Sequence, residues 1–215
     1  MTVTSPAPTA VSGATTPFRL WTPEERQASL RQALAHWQPG QDLWVYGYGS
    51  LIWRPDFDFQ ERRLALLRGH HRALCLWSRI NRGTPECPGL VFGLDRGGSC
   101  RGVVYRLAGA QVPEYFPALW EREMGAGAYL PRWLSCETEQ GPVPALVFIM
   151  NRANPGYIRH LPEDEVLAIV RRASGRYGAC TDYVVETASA LRAAGIRDAR
   201  LEALAHRLQQ PAGPA

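Results

Sequence analysis

Apolar positions fall in short continuous or alternating runs over the first half of the chain, and at helical spacing over much of the second. Leu43–Tyr46 is an apolar run that Gly47-Tyr48-Gly49-Ser50 interrupts, which predicts a buried strand entering a turn. Strand-like runs follow at Arg63–Arg68, Arg72–Trp77, Leu90–Leu94 and Gly102–Leu107, and again at Trp133–Glu139 and Pro144–Met150. The stretch from Ser78 to Gly89, rich in Arg, Asn, Gly and Pro, predicts a loop. Helical spacing appears at Val112–Met124, where Pro113 and Pro117 weaken the first turns. It returns at Pro162–Ser174, at Thr181–Ala194 with Gly195 as its stop, and at Asp198–Leu208. Nearer the start, Thr22, Pro23 and Glu25 spell a capping box. Ala33, Leu34 and Trp37 supply that helix with apolar contacts, and Pro39-Gly40 ends it.

Strands lead and helices close the chain, without βαβ alternation. This order predicts an α+β fold, a small mixed or barrel-like sheet with helices packed around it. Residues 1–17 hold Thr, Ser, Pro, Ala and Gly with almost no large apolar group, and predict a disordered tail. Residues 18–41 form a helical extension, 42–208 one domain without repeat or linker, and 209–215 a loose tail.

Composition narrows the chemistry. The net charge is +4 on 24 basic and 20 acidic groups, too balanced to argue for nucleic acid. Every basic residue is arginine. Without lysine there is no Schiff-base or lysine-anchored pyridoxal chemistry, and no phosphate loop ending in Gly-Lys-Ser/Thr. The 5 cysteines are odd in number and make no Cys-x-x-Cys pair, which speaks against a disulfide framework or zinc ribbon and for a reducing compartment. The 5 histidines make no metal-ligand spacing, so no metal is expected. His70 and His71, as strand neighbours, point to opposite faces. No apolar run reaches the roughly 18 residues of a membrane span, and the N-terminus lacks the basic start and apolar core of a signal peptide. A soluble cytoplasmic protein is expected.

Three features can carry chemistry. The first is Trp44-Val45-Tyr46-Gly47-Tyr48-Gly49-Ser50-Leu51-Ile52-Trp53, a buried strand running into a Gly-x-Gly-Ser turn. Glycines allow close approach of backbone, and successive N–H groups in such a turn suit a carboxylate or an oxyanion; equally, it is a plain turn between strands. The second is the helix face made by Phe116, Leu119, Trp120 and Glu123. A carboxylate on an apolar face is desolvated, which raises its pKa toward the range where a general base works; at the last helical turn it can instead meet water or an arginine. Glu121, about 200° round the helix, faces solvent. The third is Arg79, Asn81 and Arg82, which can hold a carboxylate but read more simply as a solvated loop. Ser50 as a nucleophile lacks both the second glycine of a nucleophile elbow and an assignable histidine.

At these residues the chain resembles the ChaC-like γ-glutamylcyclotransferases. The likeness runs from Val45-Tyr46-Gly47-Tyr48-Gly49-Ser50-Leu51-Ile52-Trp53 through Gly69-His70-His71-Arg72, Asn81-Arg82-Gly83-Thr84-Pro85 and Gly102-Val103-Val104-Tyr105-Arg106-Leu107. It continues through Arg122-Glu123, Gly127-Ala128-Tyr129, Asn151-Arg152 and Cys180-Thr181-Asp182-Tyr183. The resemblance implies an α+β fold on a small β-barrel, no metal and no cofactor. It implies closure of the γ-glutamyl group of glutathione to 5-oxoproline with release of Cys-Gly. It places catalysis on Glu123, the residue the helix face singles out, and substrate binding on Val45, Tyr46, Gly47, Tyr48, Gly49, Ser50 and Leu51. Tyr129 and Tyr183 become polar supports for the substrate or for Glu123. The expected partner is a small molecule, with no nucleic acid and no membrane. Rival readings are cyclisation of other γ-glutamyl amino acids or amines, a non-catalytic glutathione-binding regulator, and, least, a serine hydrolase.

Overall fold

The computed structural model describes residues 18–211; the expected tail at 1–17 and positions 212–215 lie outside the described residues. The chain runs α1 (Pro23–Ala33), β1 (Leu43–Gly47), a 3₁₀ turn (Ser50–Ile52), β2 (Glu61–Ser78), β3 (Gly89–Leu107), a second 3₁₀ turn (Gly109–Gln111) and α2 (Val112–Glu123). β4 (Tyr129–Thr138), β5 (Gly141–Met150), α3 (Glu163–Arg172), a two-residue pair β6 (Ser174–Gly175) and β7 (Gly178–Ala179), α4 (Cys180–Ala193) and α5 (Ala199–Gln209) follow. The architecture is α+β. Strands β1-β3-β2-β4-β5 close into a barrel, in which β1 lies parallel to β5 and the other neighbours are antiparallel.

Two pairs of expected strands are each one long strand. Arg63–Arg68 and Arg72–Trp77 both belong to β2, and Leu90–Leu94 and Gly102–Leu107 both belong to β3. The breaks in the apolar pattern mark a bulge rather than strand ends. The register slips between Arg68 and His70, where Gly69, Gly97 and Gly98 have φ of +81°, +101° and +67°. Only glycine takes such values cheaply, so the ribbon bends there without losing its pairing.

Burial of consecutive residues shows which strands are covered on both faces. Val45 and Tyr46, Val103–Tyr105 and Ala145–Phe148 are all buried, with barrel interior on one side and helices on the other. The α2 helix contributes Phe116, Leu119 and Trp120, and α4 contributes Tyr183, Val184, Ala188 and Leu191. Pro117 does not break α2, and Pro113 sits in the first turn, where a missing N–H costs nothing.

The N-terminal capping box forms with both of its hydrogen bonds. Its helix ends at Ala33, a turn before Pro39-Gly40, and the Trp133 indole N–H donates to the freed Ala33 carbonyl at 2.8 Å. Trp37 therefore lies beyond the helix, donating to the Gln41 carbonyl. The C-terminal helix reaches Gln209, one residue into the expected tail, and its N-cap is Asp198, which accepts from the Leu201 N–H. No helix among the described residues is long and apolar enough to cross a membrane.

Candidate active site

Four parts of the fold meet at one end of β1. The strand finishes at Gly47, Tyr48 and Gly49 turn the chain, and Ser50–Ile52 coil into the 3₁₀ turn. Gly47 is tightly packed: an added Cβ would lie 3.2 Å from both Leu51 Cβ and the Tyr105 ring, and those neighbours would have to give by a few tenths of an ångström. Gly49 passes beneath Tyr183, with an added Cβ 3.5 Å from that hydroxyl. Glu123 is the last residue of α2, and Tyr129, the first of β4, follows after a five-residue connector. Tyr183 comes from the first turn of α4. Tyr48, Gly49, Ser50, Leu51, Glu123, Tyr129 and Tyr183, with Phe92 and Phe148, line a cleft enclosing about 300 Å³ including its open mouth.

The main chain of Phe92 organises two of the phenols. Its N–H donates to the Tyr183 oxygen and its carbonyl accepts from the Tyr129 hydroxyl, each at 3.1 Å. Tyr129 thus spends its proton on the backbone, whereas Tyr183 accepts there and keeps its proton for the cleft. Burial pushes the Tyr48, Tyr129 and Tyr183 hydroxyls up, and the nearby Glu123 charge pushes them in the same direction. All three stay neutral hydrogen-bonding groups at physiological pH.

Glu123 is held differently. Its side chain is 13% exposed, and burial raises its pKa above the ordinary carboxylate value. Arg122, with Nε 3.2 Å from Glu123 Oε1, pulls it back down, Asp56 pushes it up and Arg54 lowers it. Arg122 is itself committed elsewhere. One terminal nitrogen donates to the Arg54 carbonyl at 2.6 Å and to Asp56 at 2.7 Å, and the other donates to Ser50 Oγ at 2.8 Å. The result is a desolvated carboxyl group beside a phenol with a proton to donate and a turn whose leading N–H groups have no partner within the turn.

Three of the residues expected to bind substrate stand behind the cleft. Val45 is fully buried, Tyr46 is fully buried and donates to the Cys100 carbonyl at 2.8 Å, and Gly47 packs on Leu51 and Tyr105. They shape the turn from below. The loop expected to be solvated is otherwise too. Arg79 and Arg82 are buried, while Asn81 is exposed. Arg82 donates to the Ala179 carbonyl and lies over Trp53 and Tyr183, so it braces α4 against the 3₁₀ turn instead of lining the cleft. Glu121 is exposed, on the face opposite Glu123. The sequence reading overlooked Phe92 and Phe148, whose positions in apolar strands carry no distinguishing mark. It also passed over Arg122 as a site residue, although it stands next to Glu123. Among the described residues no group of three or more His, Cys, Asp or Glu is placed to hold a metal. No histidine lines the cleft, and Ser50 Oγ is taken by Arg122, an arrangement that gives a serine nucleophile no base.

The family model for ChaC-like proteins matches residues 43–211. A glutathione-specific γ-glutamylcyclotransferase of Escherichia coli (strain K12) is 36% identical over 187 residues, covering 86% of this chain and 81% of the relative. Glutathione-specific γ-glutamylcyclotransferase 1 of Homo sapiens is 31% identical over 160 residues, 72% of each chain. Among solved structures, a γ-glutamylcyclotransferase specific to glutathione from yeast superposes with a TM-score of 0.72 at 21% identity, covering 78% of this chain and 95% of that one, a likeness of fold. Family model, relatives and barrel agree, and the chain belongs to the ChaC-like family.

Proposed function

We propose that this protein is a glutathione-specific γ-glutamylcyclotransferase that closes the γ-glutamyl group to 5-oxoproline and releases Cys-Gly, with Glu123 as its general acid and base. The observation that carries the reading is a lone, desolvated carboxyl group on the wall of a phenol-lined cleft, in a chain whose relatives bear that activity. Residues 42–208 are the cyclotransferase unit in this reading, and its five free thiols suit the cytoplasm.

The chemistry follows from the substrate. The α-amine is an ammonium at neutral pH and no nucleophile. Ionised Glu123 takes a proton from it, and the freed nitrogen attacks the γ-carbonyl carbon of its own chain. A C–N bond forms, the bond to the cysteinyl nitrogen breaks, and no water is consumed. Over the reaction the attacking nitrogen gives up two protons and the departing nitrogen takes up two. A carboxyl group acting alternately as base and acid closes that count. Because both reactants sit in one molecule, the cleft's main task is to hold the glutamyl chain folded back with the amine about 3 Å from the carbonyl. The Tyr183 hydroxyl and the N–H groups leading the 50–52 turn supply the donors for the α-carboxylate or the developing oxyanion. Phe92 and Phe148 exclude water and keep Glu123 desolvated.

The test is 5-oxoproline release from glutathione, γ-Glu-Ala and a γ-glutamylamine by the wild type and by Glu123→Gln. Release from glutathione that the folded variant lacks supports both substrate and base. A folded wild type that releases nothing from any of the three sinks the enzyme reading and favours a binding protein.

A further inference from the structure

We propose that the outer rim of the cleft carries a second carboxylate site, built on Tyr177 with Arg54 and Arg176, that takes the C-terminal carboxylate of the departing dipeptide. This rests on the reading of the site as a glutathione cyclotransferase. It adds what that reading leaves open: how a site that handles the γ-glutamyl half distinguishes Cys-Gly from a single amino acid on the other side of the bond.

The rim is tied to the cleft wall by a chain of contacts. Arg54 donates its N–H to the Ser50 carbonyl at 2.8 Å, one turn beyond the cleft-lining serine. Arg122 bridges from Glu123 Oε1, 3.2 Å from its Nε, to the Arg54 carbonyl, 2.6 Å from a terminal nitrogen. The main chain of Arg54 is thus one guanidinium's breadth from the reactive carboxyl group. Its half-exposed side chain sets its guanidinium 4.8 Å from the centre of the Tyr177 ring. Arg176 brings a second guanidinium to the same ring, at 5.4 Å. Tyr177 is 41% exposed, at the tip of the β6–β7 pair. That tip is rigidly mounted: Arg176 N–H donates to the Ile80 carbonyl at 2.7 Å and Tyr177 N–H to the Asn81 carbonyl at 2.9 Å. Gly175 beside them packs so closely on Gly83 that a Cβ would meet its nitrogen at 2.5 Å.

Asp56 Oδ2 is shared between Arg54 and Arg122, and Arg122 also meets Glu123 at 3.2 Å, so these two cations have two carboxylates between them. Arg176 has no carboxylate within ion-pairing distance among the described residues. Two guanidiniums drawn to one exposed ring repel each other, and cation–π attraction at an exposed site is weak. A carboxylate between them relieves that repulsion and gains charge-assisted hydrogen bonds. Fully extended, two residues reach about 7 Å from the scissile bond, beyond the reach of a single amino acid's carboxylate.

Steady-state 5-oxoproline release tests the site, using wild type, Arg176→Gln and Tyr177→Ala against glutathione, glutathione esterified at its glycyl carboxylate, and γ-Glu-Ala. Both positions are exposed, so the fold tolerates the changes. The expected result is a KM for glutathione raised about three- to tenfold with kcat little changed, and no change with the ester or γ-Glu-Ala. An unchanged KM for glutathione, or an equal rise for glutathione and its ester, overturns the rim site while leaving the cyclotransferase reading standing. Absence of release by the wild type overturns the cyclotransferase reading itself.

Discussion

Glu123 and Arg72 are both buried charges within one loop's reach of the cleft, and the fold treats them in opposite ways. Glu123 has one cation within ion-pairing distance, at 3.2 Å, and that cation already serves Ser50, Arg54 and Asp56. Arg72, its side chain 5% exposed, is satisfied on every side. It donates to the Tyr48 carbonyl at 2.6 Å, to Asp198 at 2.6 Å and to the Arg101 carbonyl at 2.7 Å. Those contacts bind the turn after β1 to β3 and to the start of α5. A fully compensated buried charge holds structure; an undercompensated one is unstable where it sits, which suits the general acid and base proposed for Glu123.

Neutralising the undercompensated charge is the sharpest way to break this contrast. Glu123→Gln is expected to lower 5-oxoproline release about 10²–10⁴-fold and, at neutral pH, to raise the melting temperature by a few degrees. The sign follows from the raised pKa of Glu123 in the folded protein. The folded state binds this proton more tightly than the unfolded chain does, so the ionised group costs stability above the folded pKa. That cost shrinks as pH falls through the folded pKa, and is gone below the unfolded one. Thermal melts of both proteins at pH 7 and pH 4 check it: the gap should be present at 7 and closed at 4. A variant that melts below wild type at pH 7 contradicts the assignment.

Removing the compensated charge should act on the fold first. Arg72→Met leaves Asp198 without its cation and the Tyr48 carbonyl without its donor. A loss of about 3–5 kcal/mol in urea denaturation is expected. Asp198→Asn should cost much less, because asparagine still caps α5 and Arg72 keeps its two carbonyls. Equal losses from the two variants would mean that the ion pair, rather than the grip on Tyr48, is what matters.

Arg122 stands between the two cases, and its removal grades the compensation of Glu123. It lowers the Glu123 pKa, so Arg122→Gln should raise it further and move the acid limb of kcat/KM to higher pH. On that limb the variant should be several-fold slower than wild type, with the gap narrowing as pH rises. A limb that moves to lower pH would show that the arginine does not act on Glu123 by its charge.

Much of this organisation was legible in the sequence, and the gaps have physical causes. The helix face of α2 marked Glu123 because three of its four positions are large and apolar, a local signal that needs no knowledge of the rest of the fold. The capping box at Thr22 was equally local. The continuity of β2 and β3 was not legible, because three glycines break the apolar pattern while the pairing carries on through them. Nor was the burial of Arg79 and Arg82, since in a loop of polar residues only tertiary packing decides which side chains turn inward. Val45, Tyr46 and Gly47 belong to the same motif as Tyr48–Leu51, and a motif read as a string does not show where its chain passes from core to cleft.

The N-terminal extension supplies the mildest test, and it reaches Glu123 from outside. Trp21 donates its N–H to the Gly125 carbonyl at 2.8 Å, and its indole lies so close over Gly127 that a Cβ there would be 2.4 Å from the ring. From the other side Asn154 and Asn151 donate to the Ala126 and Gly127 carbonyls. The connector between Glu123 and Tyr129 is therefore clamped on both faces, and the extension forms one of them. Trp21→Ala should loosen the connector without touching any group that contacts substrate. We expect kcat about two- to fivefold lower with KM unchanged, and the acid limb displaced downward as water reaches Glu123 and its pKa falls toward the ordinary carboxylate value. Trp21→Phe keeps a flat ring over Gly127 and should restore most of the rate. Trp37→Ala, beyond the far end of α1, should leave kcat where it is. If Trp37→Ala slows the enzyme as much as Trp21→Ala, the extension matters for stability as a whole; a loss confined to Trp21 makes the clamp on the connector a second way in which a satisfied part of the fold holds the unsatisfied one in place.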